Sequence, residues 1–204
     1  MSIASERARW NERFSVKDYH FGTEPNQFLA SQAHRLRPGM SALCVADGEG
    51  RNGVFLAQRR HRVLSVDLSR VGLGKARQLA SQRGVWIATL AADLATFEIA
   101  PAAWSGIVSI WAHLPEITRR LVHRAVVAGL APGGALVLEA YTPRQLERGT
   151  GGPTDATRMM TLEGLRVELR GLRFEIGREI VREVSEGDLH DGSSEVVQVL
   201  AFKP

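Results

Sequence analysis

Apolar and polar positions along this chain follow two periods in turn, and the switches between them mark out its elements. Short apolar runs suited to strands buried on both faces span Ala42 to Ala46, Arg62 to Val66, Val85 to Ala91, Gly106 to Trp111 and Ala135 to Ala140. Helical stretches lie before and between them. Ser5 to Phe14 has helical composition, with Trp10 and Phe14 four apart and Arg13 beside them, and Pro25 opens a second helix running to about Leu36. Arg51 to Arg60 is predicted helical, and Ser69 caps a helix carrying Leu73, Ala76 and Ala80 until Gly84. Pro115 opens another, with Ile117, Leu121, Ala125 and Ala128 on one face, and Thr161 to Arg170 forms the last.

The period then changes to two. Leu172, Phe174 and Ile176 alternate with polar residues, as do Val197, Val199 and Ala201, giving two strands joined by Ser185 to Ser194. Five βα units closed by an antiparallel hairpin place the ligand loops at the carboxyl ends of the parallel strands. Pro132-Gly133-Gly134 reads as a strong breaker, and Tyr141 to Pro153 as a glycine-rich excursion long enough to suggest function.

The stretch Ser41 to Ser69 organises the rest. After its first strand, Gly48, Gly50 and Gly53 turn the backbone sharply into a helix, and the second strand ends on Asp67, where an acid can hold both hydroxyls of a ribose. The glycine spacing also satisfies the dinucleotide fingerprint, so an NAD oxidoreductase is one reading. Asp47 and Glu49 repel a pyrophosphate, however, and suit a cationic nucleoside such as S-adenosylmethionine; alternatively they serve the helix start as caps and dipole partners.

Composition narrows the classes. With 204 residues, 44% of them hydrophobic, the chain makes one well-cored domain, 1–204. No run approaches the roughly eighteen apolar residues of a membrane span, and the first ten residues lack a signal-peptide core, so a cytoplasmic protein without membrane partners is expected. The single Cys44 excludes an internal disulfide, and no His/Asp/Glu set has metal-ligand spacing. The net charge of +4 comes from arginines scattered among acids, which does not point to nucleic acid. Arg119-Arg120 reads as part of a solvated helix face.

An acid after strand two and another after strand three, within this order of elements, resembles the class I S-adenosylmethionine-dependent methyltransferases over nearly the full chain. Within that family the pattern is similar to the small bacterial tellurite-resistance and thiol-methyltransferase-like group. The likeness rests on Trp10-x-x-Arg13-Phe14, Phe21-Gly-Thr-Glu-Pro-Asn26, Gly48-Glu-Gly-Arg-Asn52, Val66-Asp67-Leu-Ser69, Pro132-Gly-Gly134 and Gly149-Thr-Gly-Gly-Pro153. It implies a Rossmann-like, doubly wound α/β sheet of seven mostly parallel strands, with the last strand reversed between the fifth and sixth. It also implies cap helices over 1–36, a catalytic core over 41–204, S-adenosylmethionine as cofactor and S-adenosylhomocysteine as product. On the matching positions, Asp47, Gly48, Glu49, Gly50, Asn52, Asp67 and Ser69 hold the cofactor, and Leu68, Asp93, Leu94 and Trp111 flank its adenine or sulfonium. Trp10 and Arg13 cover it, the arginine pairing with its carboxylate. The chain departs from the wider pattern where Cys44 and Ala46 replace the usual acid and first glycine.

Methyl transfer from a sulfonium is an in-line displacement, so alignment at a dry site supplies much of the rate. An acceptor of high pKa gains from a base, for which histidine is suited near neutral pH. His113, after strand four, and His190, in the last hairpin turn with Asp191 and Glu186 near it, are the candidates. Trp111-Ala-His-Leu-Pro115 lacks the Asn-Pro-Pro-aromatic segment of base-amine methyltransferases, which favours a small-molecule acceptor over RNA; a monomer or homodimer is expected. A non-enzymatic cofactor-binding module is the other reading. The aromatics before the first strand either pack under the body or form a flap over a pocket.

Overall fold

The computed structural model describes residues 2–37, 39–187 and 190–204. Its sheet runs in the order β3-β2-β1-β4-β5-β7-β6. The strands are β1 Ser41–Val45, β2 Arg62–Asp67, β3 Ala88–Ala91, β4 Trp104–Ile110, β5 Leu130–Tyr141, β6 Arg173–Ser185 and β7 Asp191–Phe202. β1 to β5 pair in parallel, while β7 runs antiparallel to both β5 and β6. This is the seven-stranded, doubly wound α/β sheet that the sequence predicts, with the reversed strand between the fifth and sixth.

Among the described residues six α-helices accompany it: α1 Ile3–Arg13, α2 Gln27–Gln32, α3 Arg51–Gln58, α4 Arg70–Gln82, α5 Glu116–Gly129 and α6 Leu162–Glu168. The two-residue period of β1 divides them. Ala42 and Cys44 point into a core with Leu29 of α2, Val54 and Leu56 of α3, and Leu79 of α4. Leu43 and Val45 point the other way, into a core with Val122 and Val126 of α5 and Leu165 of α6. Crossovers on opposite faces leave a crevice between β1 and β4, where the strand order reverses.

Three expectations change. The α5 face carrying Ile117 and Leu121 is turned to solvent, with Ile117 78% exposed, while Arg119, Val122, His123 and Val126 are buried. The reason is polar. Glu168 of α6 accepts from Arg119 Nε at 3.2 Å and pairs with His123 Nδ1 at 2.6 Å, so two polar side chains are satisfied inside, and Arg119 is not a solvated residue. Pro132-Gly133-Gly134 does not end a strand. It bulges within β5, where the register jumps from Trp104↔Leu130 to Gly106↔Ala135 and Gly133 takes φ 75°. The third βα unit lacks its helix, since turns connect β3 to β4.

Candidate active site

A cleft of about 750 Å³ opens at the carboxyl ends of the parallel strands, lined by the loops after β1 to β4, by α1, by residues 151–155 and by His190. Of the residues singled out in the sequence, Trp10, Arg13, Asp47, Gly48, Glu49, Asn52, Asp67, Leu68, Asp93, Leu94, Trp111, His113 and His190 border it. Gly50 and Ser69 do not.

One half of the cleft is built on Asp67. Its Oδ2 accepts the Gly48 N–H at 2.9 Å and its Oδ1 the Ser69 N–H at 2.8 Å, so the carboxylate ties the end of β2 to the glycine turn. Burial raises its pKa, and backbone N–H groups of Ser69, Gly48 and Leu68 oppose that rise. The acid stays fixed at the rim with acceptor capacity left for a ligand. Gly50 works instead at φ 84°, where a Cβ would come within 2.3 Å of Ala76 Cβ, so its job is the close approach of α3 to α4. Ser69 caps α4, its Oγ accepting the Gly72 N–H at 3.0 Å.

The two acids of the turn are not presented to a ligand as free charges. Asp47 Oδ2 accepts from Ser65 Oγ at 2.6 Å, and burial pushes its carboxyl up to about 7. Glu49 pairs with Lys75 and is buried. Their combined negative charge is therefore largely neutralised inside the fold, which corrects the reading that they supply charge for a sulfonium or ammonium. Asn52 borders the cleft, but its Oδ1 accepts the Asn26 N–H at 2.9 Å and so holds the N-terminal segment to α3.

α1 lies across the opening. Phe14 is buried between Gly48 and Gly72, where added Cβ atoms would meet its ring at 3.2 and 2.8 Å. Trp10 stacks on Phe14 at 5.5 Å, and the Arg13 guanidinium lies 5.0 Å from the Trp10 ring. Asn11 Oδ1 accepts from Ser69 Oγ at 2.7 Å on one side, and Glu6 pairs with Arg158 at 3.2 Å on the other. The aromatics thus do both things left open by the sequence: Phe14 packs under the turn, and Trp10 covers the cleft.

The other half is aromatic. Trp111 stacks on Tyr141 at 4.4 Å, and His190 meets Trp111 edge-on at 5.0 Å and Phe21 at 4.8 Å. The excursion after β5 is held over these rings, with Gly151 bridging to His190 and Thr150 Oγ1 donating to Ser193 O at 2.8 Å. His113 is occupied. Its Nδ1–H donates to Arg158 O at 3.3 Å and its Nε2 accepts the Tyr141 N–H at 3.4 Å, so both nitrogens serve the backbone. Burial pushes its pKa down to about 4. A histidine so engaged has no lone pair for a substrate proton, which corrects its candidacy as a base. His190 is different, since its buried Nδ1 has no partner among the described residues, but burial and Arg51 push it down to about 3. Both imidazoles are neutral at physiological pH. Among the described residues, no group of three or more His, Cys, Asp or Glu side chains is placed to hold a metal ion.

Residues 42–134 match a family described as a methyltransferase domain. No curated protein matches the sequence of the chain. Among solved structures, TehB from Haemophilus influenzae is 15% identical with a TM-score of 0.73, over 98% of this chain and 67% of that one. The N-methyltransferase NodS from Bradyrhizobium japonicum WM9, in complex with S-adenosyl-L-homocysteine, is 18% identical with a TM-score of 0.68, over 97% and 98%. A protein concerned with converting a disulfide bond into a thioacetal group during echinomycin biosynthesis is 18% identical with a TM-score of 0.76, over 98% and 91%. At such identities the likeness is one of fold.

The matched range contains the glycine turn, Asp67, Asp93 and Trp111. The α1 cap, the excursion and His190 lie outside the matched range. Sequence reasoning missed Tyr141, Arg158 and the role of Glu186. Tyr141 was findable, because it ends a parallel strand on the ligand side of the sheet. Glu186, expected beside His190, instead accepts from the Trp111 indole Nε1–H at 2.8 Å.

Proposed function

We propose that this chain is an S-adenosylmethionine-dependent methyltransferase acting on a small molecule, with S-adenosylhomocysteine as product. The observation that carries the reading is a coincidence of ranges. The methyltransferase-domain match spans the loops after β1 to β4, which line one continuous stretch of the cleft. The residues present fit such a cofactor: Asp67 is anchored to accept from ribose hydroxyls, Asp93, Leu94 and Leu68 line the same cleft where an adenine would lie, and Arg13 borders it for a carboxylate. Asp47 and Glu49 shape the turn and do not contribute charge. When bound, the cofactor supplies an electrophilic methyl on a sulfonium.

This chain's residues align and dehydrate the acceptor. Phe21, Trp111 and His190 present an aromatic, uncharged wall, and Trp10 with Gly151 to Pro153 closes over it. Neither histidine is a competent base near pH 7, so the acceptor brings its own lone pair: a thiolate, a chalcogen oxyanion or a similar nucleophile. The fold shared with TehB supports placing the chain in the tellurite-resistance and thiol-methyltransferase-like group. A cytoplasmic monomer or homodimer without nucleic-acid partners accords with this; among the described residues no helix is long and apolar enough to cross a membrane.

Calorimetry with S-adenosylmethionine, S-adenosylhomocysteine and NAD tests the cofactor. Binding of both adenosyl ligands and not of NAD is expected, and NAD binding alone refutes the reading. Labelled-methyl transfer to a panel of thiols, selenite, tellurite and halides then identifies the acceptor; transfer only to hydroxyls or amines of high pKa overturns the base-free mechanism.

A further inference from the structure

Trp111 stands where the two halves of the cleft meet, in a backbone conformation that a tryptophan adopts only under constraint. Its φ is 56°, in the left-handed region where a side chain crowds the following carbonyl. The backbone is held by its own N–H, which donates to Glu139 O at 2.9 Å. The indole is held from elsewhere. Glu186, at the tip of the β6–β7 hairpin and 4% exposed, accepts the Nε1–H at 2.8 Å. The same carboxylate accepts from Arg182 Nη2 at 2.8 Å and Asn26 Nδ2 at 2.8 Å, and pairs with the buried Arg51, the first residue of α3. Burial alone would raise its pKa, but Arg51, the indole N–H and Arg182 outweigh it and hold it at about 2.

We propose that Glu186 is a positioning residue for the acceptor site: its carboxylate, locked to Arg51 beside the glycine turn, sets the plane of the Trp111 indole against which an acceptor is aligned. The proposal deepens the methyltransferase reading and rests on it for the word acceptor; the Glu186–Trp111 linkage stands on geometry alone. A purely structural hairpin tip needs no carboxylate in an apolar setting, where an unpaired charge is costly and only a full set of donors makes it tolerable. Here those donors come from α3, the N-terminal segment, β6 and the indole, so one group fixes the hairpin, the glycine-turn helix and the ring together. The placement also bears on His190, because its ring packs on the edge of that indole. Misplacing an aligning wall by about 1 Å is enough to cost on the order of a hundredfold in rate.

The test begins on the wild-type chain labelled with ¹⁵N. Each of the four tryptophans gives one indole N–H resonance, that of Trp111 being assigned by its loss in Trp111→Phe. Its proton should exchange with solvent far more slowly than that of Trp86, which is 77% exposed. Equal exchange overturns the proposal without any Glu186 variant. In Glu186→Gln the Trp111 resonance should shift while those of Trp10, Trp86 and Trp104 hold, and an unmoved Trp111 resonance in the folded variant overturns it. S-adenosylhomocysteine affinity then closes a double-mutant cycle. Glu186→Gln should weaken binding about three- to tenfold in the wild-type background and less than twofold in Trp111→Phe, whereas equal losses in both backgrounds mean that Glu186 acts independently of the indole. If the wild type binds no adenosyl ligand, the cofactor reading fails, and the exchange and resonance results still decide the linkage.

Discussion

The two halves of the cleft are built by opposite means. On the Asp67 side, one acid is tied by two backbone N–H groups that lie within twenty residues of it, so short-range covalent connection does most of the placing. On the Trp111 side, the walls come from β4, β5, the excursion and the last hairpin, and the bond that fixes the indole spans 75 residues. The first half is a local motif that a fold can host. The second exists only once β7 has inserted between β5 and β6, and its geometry depends on side chains far from the ligand.

That contrast can be broken in the support of the second half. Glu168→Ala removes the partner of buried Arg119, which also donates to Thr157 O at 2.8 Å and so holds the segment that follows the excursion. It should destabilise the chain by about 3–5 kcal/mol in denaturant titration while adenosyl-ligand affinity changes less than threefold. A comparable loss of affinity would mean that the halves are not separable. Burial raises the Glu168 carboxyl, but His123 and Arg119 hold it at about 2, below its unfolded value. This contribution is therefore complete above about pH 4.5 and lost as pH falls toward 2, and the variant should unfold with a shallower acid limb.

The converse change acts on the first half. Asp67→Ala should cost about 1.5–3 kcal/mol of S-adenosylhomocysteine affinity by calorimetry, through loss of charge-assisted bonds. Affinity equal to wild type in a folded variant would remove Asp67 from the ligand site.

A smaller effect separates the halves by pH. Asp47, on the first side, has a folded pKa raised to about 7, so its buried ionisation opposes folding as pH rises from about 4 through 7. Asp47→Asn should gain stability over wild type at pH 8 and little near pH 4. The histidines of the second side have the reverse sign. His113 and His190 are held neutral, so their contribution is complete above about pH 6.5 and lost as pH falls toward 4 and 3. Thermal melts across pH 4 to 8 check both, and an Asp47→Asn gain largest in acid would refute the assignment.

The smallest effect is expected for the residue that sequence favoured for chemistry. His190→Ala should lower turnover by less than about tenfold, with no inflection between pH 5 and 8 assignable to an enzyme imidazole, because removal of a true base costs roughly a hundredfold or more. A loss of that size would restore His190 as a base and overturn the lone-pair acceptor.

How much of this was legible beforehand follows the same division. The strand runs, the cap at Ser69 and the acid at position 67 depend on periodicity and near neighbours, and they appear as the sequence predicts, while the place of the reversed last strand came from the family resemblance. Where polar groups find partners across the fold, periodicity fails. Arg119 reads as solvent-facing and is buried because Glu168 meets it, and the acids of the turn after β1 read as partners for a cationic ligand although Lys75 pairs with one and Ser65 donates to the other. His113 looks like a base until the backbone of Arg158 and Tyr141 is brought to both its nitrogens.

Local pattern along the chain fixes the strands and helices of the sheet and the half of the cleft that a glycine turn and a strand-end acid can define. Backbone propensity and a two-residue or 3.6-residue period are properties of neighbours, and neighbours are what a sequence states. Tertiary structure alone decided which polar side chains remain available. A buried donor or acceptor must find its partner wherever the fold places one, and in Glu186 and Glu168 that partner is many residues away.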